Sequence, residues 1–140
     1  MRIYLSTEKP DDNSYIWLSD IATFEGQVLD SEAQSIVLDK FLSNFSHAEL
    51  SPLLQQVAKK LRMGCELTII ETDIEFVAKR CIRGEIDIGE VNALLFQTSF
   101  IKSVCTLSNI EKNIPNNLQI HHKHFDGALS QIIIKCRRTE

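Results

Sequence analysis

Apolar positions along the chain alternate in some segments, as in a strand, and recur with helical period in others. The change from one pattern to the other marks the predicted elements. Arg2 to Ser6 alternates in the manner of a strand, with Ile3 and Leu5 on one face. Short runs rich in β-branched, aliphatic or aromatic residues predict three more strands: Tyr15–Leu18, Gln27–Leu29 and Ser35–Leu38. Only eight residues separate Ser6 from Tyr15. A parallel crossover normally needs a dozen or more residues, so the N-terminal part of the sheet is expected to have reduced helices.

A helix followed directly by a strand is the best-defined unit of the pattern. Ser46 and Glu49 have the spacing of a capping box, and Pro52 suits a first helical turn. Apolar residues then recur with helical period from Leu53 to Leu61, and Gly64 is expected to end the helix. The strand Glu66–Ile70 follows. With the strand before it, this segment predicts a βαβ unit.

Three helix starts and a hairpin are predicted beyond this unit. Asp73, Asp87 and Thr106 each precede a helical pattern in the position of an N-cap. Asp126-Gly127 lies between two strand-like runs and indicates a hairpin. The pattern therefore predicts an α/β fold of about seven strands, mostly parallel with a C-terminal antiparallel hairpin, in a single domain over residues 1–140.

Composition excludes several classes of function. The 140 residues are 44% apolar and 24% charged, with a net charge of −4, which argues against a nucleic-acid partner. No apolar run approaches the roughly 20 residues that cross a bilayer, so no membrane association is expected. Residues 1–75 carry 13 acids and 6 bases, whereas residues 76–140 carry 6 acids and 9 bases. This asymmetry indicates complementary surfaces within one domain.

The four cysteines are expected to be free thiols. Cys65, Cys81, Cys105 and Cys136 form no C-x-x-C pair, and each has apolar neighbours. This usage favours a reducing, cytoplasmic location.

A histidine cluster and two basic groups are further candidates for chemistry. On a strand, His122 and His124 share a face and His121 points the other way, so they are either the beginning of a metal site or an exposed face, and the second interpretation is preferred. The basic residues near Lys79 and Arg137 lack interleaved aromatic residues and are read as solvated faces. No nucleophile elbow or phosphate-binding loop occurs.

The order of these elements resembles a family. The segment from Ser35 to Phe45 is similar to the fourth strand and following loop of class I S-adenosylmethionine-dependent methyltransferases. The segment from Leu54 to Ile70 is similar to the next helix and the fifth strand of that family. Glu85 to Phe96 resembles a helical insertion of compact methyltransferase-like proteins from bacteria and tailed phages. The C-terminal hairpin matches the sixth and seventh strands of the family.

The resemblance implies a cofactor, S-adenosylmethionine, and four residues that bind it. Asp20 falls where the family keeps an acid that accepts hydrogen bonds from the ribose hydroxyls. Leu38 and Asp39 fall at the end of the fourth family strand, beside the methionine part of the cofactor. Ser6 begins the loop after the first strand. No catalytic residue and no metal ligand is assigned.

The loop after the first strand departs from the family pattern. Ser6 to Asp12 contains no glycine, where the family has a glycine-rich turn that lets the cofactor approach. Asp20 and Asp39 are also residue types that cap helices and turns. Two functions follow: a methyltransferase-like protein with a small-molecule or sugar acceptor, or a catalytically inactive protein of this fold that binds a protein partner.

Overall fold

All the strands belong to one sheet, in a computed structural model that describes residues 1–98 and 100–140. The six strands assigned in those residues have the order β2-β1-β3-β4-β6-β5. Their bounds are β1 Arg2–Leu5, β2 Ile16–Leu18, β3 Ala33–Asp39, β4 Leu61–Thr72, β5 Leu118–Asp126 and β6 Gln131–Arg138. The helices are α1 Ile21–Gln27, α2 His47–Lys60, α3 Ile74–Ile82, α4 Ile88–Leu95 and α5 Leu107–Asn113, with a short 3-10 helix at Leu42–Asn44.

The strands β1 to β4 pair in parallel, and the last two are antiparallel. The predicted fold class is therefore confirmed: a mixed α/β sheet that is mostly parallel, with an antiparallel hairpin at its C-terminal end. The βαβ unit is β3-α2-β4. Between β1 and β2 the described chain has no helix, and a loop from Ser6 to Tyr15 joins two parallel neighbours directly.

Of the seven predicted strands, the third along the chain is wrong, because Gln27–Leu29 does not enter the sheet. Asp20 caps α1 by accepting a hydrogen bond from the Thr23 amide at 2.7 Å, and the helix continues to Gln27. Phe24 and Val28 lie four residues apart on the buried side of this helix and its C-terminal cap. Burial of these two side chains favours the helix and its cap over the strand that the β-branched residue of the segment had suggested.

Gly64 does not end α2, as the sequence had suggested. The helix ends at Lys60, and Leu61 is already extended. Gly64 has φ 78° inside β4, where the pairing with β3 shifts register between Ala33 and Ser35. The glycine therefore serves a bulge in the strand rather than a helix stop. The predicted N-caps are confirmed, because Asp73, Asp87 and Thr106 all accept hydrogen bonds from amides in the first turn of α3, α4 and α5.

The core lies on the sheet and beneath α1, α2 and α5. Its largest fully buried side chains come from both strands and helices, and they include Phe24, Phe41, Ile36, Leu54 and Leu67. Cys105 and Cys136 are buried in it as well, whereas Cys65 and Cys81 are half-buried. All four thiols are free in the described residues.

Candidate functional site

Polar side chains collect where the parallel strands end. Ser6 follows β1, Asp20 follows β2, Asp39 ends β3 and Glu71 is the penultimate residue of β4. Because β1 to β4 are parallel, all four positions lie along one edge of the sheet. The chain order reverses between β1 and β3, which makes this place the topological switch point where ligands bind in open α/β sheets.

A large cavity opens beside β1 and β2 at this edge. Its volume is about 680 Å³, within the range of about 300–1,000 Å³ that small-molecule sites occupy. Asp20 and Lys102 are the charged residues among its described lining. The remaining lining residues are polar or apolar, and four are aromatic: Thr7, Trp17, Ser19, Ile21, Phe41, Asn44, Phe45 and Phe100.

Asp20 faces this cavity while it caps α1. The hydrogen bonds from the Thr23 amide and hydroxyl hold the pKa of the Asp20 carboxyl below its usual range. The carboxyl is therefore ionised at neutral pH. The cap fixes a hydrogen-bond acceptor at the end of β2. Asp20 can therefore cap the helix and accept a hydrogen bond from a ligand at the same time.

A second, smaller cavity lies at the switch point itself. It has a volume of about 100 Å³ and joins residues of the loop after β1 to the end of β3. Ser6, Thr7 and Asp39 line it, and Thr7 also lines the large cavity. Ser6 and Asp39 are thus brought together, and Asp20 lies in the neighbouring cavity. Leu38 is fully buried in the core and is absent from the described lining of both cavities.

Asp39 is held in place by a hydroxyl from β1. The Tyr4 hydroxyl donates to Asp39 Oδ2 at 2.5 Å. Burial, this hydrogen bond and the Asp39 charge raise the pKa of Tyr4 above its usual range, so the phenol stays protonated as a donor. Lys40, the next residue, has φ 52° in the left-handed region, a conformation that non-glycine residues seldom adopt outside functional or tightly constrained positions.

Glu71 is a site residue that the sequence analysis missed. It is 2% exposed, and burial raises its pKa to about 7 against the opposing effect of the Thr72 amide and of Ser43. Its Oε1 accepts from the Thr72 amide at 3.3 Å, and Oε2 has no hydrogen-bond partner in the described residues. The available signal was an acid inside the apolar run from Leu67 to Thr72, since a carboxylate is seldom buried there without a reason.

The loop after β1 is closed by its own side chains. The Trp17 indole donates to the Ser6 carbonyl at 3.1 Å, and the Ser6 hydroxyl donates to the Glu8 carbonyl at 2.5 Å. Asn44 donates to the Thr7 hydroxyl at 3.4 Å. These contacts hold the end of β1 with side chains, where the methyltransferase family has a glycine turn.

The histidine cluster lies far along the chain from these cavities, on β5. His122 Nε2 and His124 Nδ1 are 2.8 Å apart, whereas His121 pairs with Glu66 at 3.0 Å. The pairing of β5 with β6 shifts register between Ile120 and His122, which interrupts the alternation of side chains at His121. His121 contacts Glu66, whose face also carries Lys135, the register partner of His122, so the predicted division of the three rings between two faces is not confirmed. Among the described residues, no group of three or more histidine, cysteine or acidic side chains is arranged to hold a metal ion.

Comparison with known proteins finds similarity at the level of the fold. No protein-family model and no curated protein matches the chain. Solved structures do match. A SAM-dependent methyltransferase from Methanosarcina mazei is 16% identical with a TM-score of 0.55, over 81% of this chain and 62% of that one. A candidate type 11 methyltransferase from Sulfolobus solfataricus is 12% identical with a TM-score of 0.58, over 99% and 72%.

A third match holds a cofactor product. Magnesium protoporphyrin IX methyltransferase from Synechocystis PCC 6803, with bound SAH, is 12% identical with a TM-score of 0.58. That match covers 89% of this chain and 51% of the other. The chain therefore spans about half to three fifths of the length of this enzyme and of the Methanosarcina protein. These similarities show that the chain has the class I methyltransferase fold, which confirms the sequence resemblance at the level of the fold.

The residues of the large cavity fit an adenosyl group. Asp20 supplies an ionised acceptor for hydroxyl donors, and the aromatic residues supply flat apolar faces for a purine ring. The loop after β1 does not supply the glycine turn of the family, so a ligand there would contact side chains. In the described residues, no helix has both the length and the apolar character needed to cross a bilayer.

Proposed function

We propose that this protein binds S-adenosylmethionine in the large cavity and belongs functionally with the methyltransferases, with a small molecule or a sugar as acceptor. One observation carries the proposal. In a methyltransferase fold, a cavity of about 680 Å³ at the carboxyl ends of β1 and β2 combines an ionised carboxylate with aromatic walls. This combination of acceptor and flat apolar surface is what a ribose and a purine require.

Each lining residue has a separate role in this proposal. Asp20 accepts hydrogen bonds from the ribose hydroxyls, Trp17 and Phe100 pack against the base, and Lys102 offers a cation to the ligand's carboxylate. When bound, S-adenosylmethionine supplies a methyl group activated by its sulfonium charge. The chain's own contribution is to bind and orient the ligand. The switch-point cavity, with Ser6 and Asp39, is the proposed place of the acceptor.

A second candidate function is that of a binding protein without turnover. The observation in its favour is the side-chain closure at the end of β1, where Trp17 bonds the Ser6 carbonyl at 3.1 Å. Side chains in place of the glycine turn would keep the methionine part of a cofactor at a distance. In this candidate the same surface binds a protein partner.

Calorimetric titration with S-adenosylmethionine and S-adenosylhomocysteine separates the two functions. Saturable heat from both ligands supports the cofactor proposal. The absence of heat at millimolar ligand, from protein with a cooperative thermal unfolding transition, excludes it and leaves the binding-protein candidate.

Variants of Asp20 separate its two tasks. Asp20→Asn keeps an N-cap side chain of similar quality, so the free energy of unfolding stays within about 0.5 kcal/mol of wild type. Removal of the charged acceptor weakens ligand binding by about 10- to 100-fold, the ratio that corresponds to a hydrogen bond to a charged group. Asp20→Ala is expected to weaken binding and to lower stability by about 1 kcal/mol as well.

Thr106→Ala is the matched control for the loss of a cap. Thr106 caps α5 through the Asn109 amide at 3.0 Å and lies outside the described lining of the large cavity. This variant is expected to lose about 1 kcal/mol of stability and to bind the ligand as wild type does. Wild-type affinity in Asp20→Asn would contradict the proposed role of the carboxylate.

A further inference from the structure

A third pocket, smaller than the two cavities, is lined in part by Glu71. Its volume is about 20 Å³, enough for one water molecule or one group of that size. Lys40, Gln97 and Ile101 line both this pocket and the switch-point cavity, so the two spaces adjoin each other. The two adjoining spaces are together called the recess, and the Glu71 pocket is its smaller part.

One oxygen of the Glu71 carboxyl group accepts from the Thr72 amide, and the other has no donor within hydrogen-bond distance in the described residues. Glu71 is 98% buried, and Oε2 has no hydrogen-bond partner in the described residues. The Ser43 hydroxyl and amide lie close enough to Glu71 to lower its pKa, but the hydrogen bond that the hydroxyl donates goes to the Lys40 carbonyl at 3.3 Å. Buried acceptors in native proteins are almost always paired, so an unpaired one that lines a pocket marks a place for an external donor.

The charges around the recess favour a cation. Glu71, Asp39 and Glu8 line the two adjoining spaces, and Lys40 is the basic residue among their described lining. Lys40 forms no ion pair in the described residues. When Glu71 is ionised, three acids against one base give the recess a negative potential, and the size of the Glu71 pocket restricts the cation to a single small head group.

We propose that the Glu71 pocket is a binding subsite for the primary ammonium group of a small molecule, with an N–H of that group donating to Glu71 Oε2. The assignment of that molecule as the methyl acceptor rests on the proposed function, whereas the binding of the ammonium group does not. Glu71 is a recognition residue in this proposal, and the ammonium group is the part of the molecule by which the protein selects it.

Ionisation of Glu71 couples this subsite to pH. The charged and titratable groups that face Glu71 are Asp39 from β3, Lys40 after it, Asp73 after β4 and Cys105. Burial and, to a smaller extent, the charges of Glu71 and Asp73 together raise the pKa of the Cys105 thiol to about 12, so this group does not titrate near neutral pH. Since the pKa of Glu71 is about 7, its ionised fraction rises from about one tenth at pH 6 to about nine tenths at pH 8.

The test is a titration followed by NMR on protein labelled with ¹³C at the glutamate carboxyl groups. The Glu71 resonance is assigned by its absence in Glu71→Gln. Methylammonium chloride is expected to shift it saturably and to bind about tenfold more tightly at pH 8 than at pH 6. Tetramethylammonium chloride has the same charge but no N–H donor and a larger volume, and it is expected to cause no saturable shift.

Controls distinguish the subsite from general ionic effects. Glu66→Gln removes a half-buried acid from the same strand and is expected to leave methylammonium binding unchanged. An equal response to the two cations, or no saturation by 100 mM methylammonium, would overturn the proposal. If Glu71→Gln fails to fold, the comparison of the two cations on the wild-type protein still decides.

The outcome is separable from that of the proposed function. Calorimetry with S-adenosylhomocysteine reports on the large cavity, whose described lining does not include Glu71. Loss of cofactor binding alone would remove the acceptor assignment and leave the ammonium subsite standing. Loss of methylammonium binding alone would remove the subsite and leave the cofactor proposal standing.

Discussion

Burial sets the protonation of single residues at the edge of the sheet. Tyr4 and Glu71 lie at the same edge, yet the phenol has a carboxylate partner and one Glu71 oxygen has none in the described residues. Both pKa values are raised, and in both the largest cause is burial, which disfavours the charged form. For Glu71 the resulting value of about 7 places the change of charge within the physiological range.

Stability is expected to depend on pH through Glu71. The folded protein holds a proton on Glu71 that the unfolded chain, with an ordinary pKa of 4.5, has already lost between about pH 4.5 and 7. Stability from this group is fully present below pH 4.5 and declines as pH rises through 7, by at most about 3 kcal/mol. Urea unfolding of wild type and Glu71→Gln from pH 5 to 8 measures it. Equal pH slopes in the two proteins would refute the assignment.

At the scale of elements, caps and bulges decide where helices and strands begin and end. The side chains of Ser46, Asp73 and Asp87 start their helices as their spacing predicts, since each satisfies amides that the helix leaves unpaired. Gly64 behaves differently, because its positive φ is used inside β4. A glycine permits a left-handed residue at either place, and the pairing with β3 selects the bulge.

Two glycines with open surroundings form a matched pair of tests. Gly64→Ala meets no atom within 4 Å but must adopt φ 78°, so a loss of about 1 kcal/mol is expected. Gly26→Ala also meets no atom, within the ordinary helical backbone of α1, so a gain of about 0.5–1 kcal/mol is expected. Chemical denaturation measures both. A gain at Gly64 would show that the bulge is not left-handed in solution.

At the scale of the whole molecule, the sheet is uneven. The strand β4 has 12 residues and lies between β3 and β6, whereas β2 has three residues and forms one edge of the sheet. Ile16 and Trp17 of β2 are exposed, and a loop replaces the helix that would cover a parallel crossover. The large cavity lies at this edge, because its lining includes Trp17, which belongs to β2, and Asp20, which follows β2.

Hydrogen exchange is expected to show that β2 opens separately from the rest of the sheet. Amides of β2 that bond to β1 should exchange on the order of a hundredfold faster than those in the centre of β4, since a short edge strand opens locally at low cost. The other edge strand, β5, has nine residues and serves as the comparison. Protection of β2 equal to that of β4 would show that this edge opens only with global unfolding.

Local sequence signals accounted for much of the fold. The N-caps, the βαβ unit and the C-terminal hairpin depend on neighbours a few residues apart, and all were predictable. The hairpin turn still differs in detail, because four residues from Gly127 to Ser130 connect Asp126 to Gln131 instead of the tight Asp-Gly turn. Turn length depends on strand pairing, which the two residues at the turn do not fix by themselves.

The sequence by itself determined the fold class and the starts of α2 to α5, because spacing and residue type act over one or two turns of chain, and the family resemblance supplied three polar positions at strand ends. Only the tertiary structure decided that Ser6 and Asp39 share a cavity, that Leu38 is buried in the core, and that Glu71 lines the smallest of the three pockets. The physical reason is that burial and cavity shape arise from packing between residues distant in sequence. Glu71 in particular becomes distinctive only when β3, β4 and the segment around Cys105 enclose its carboxyl group and leave one oxygen without a donor among the described residues.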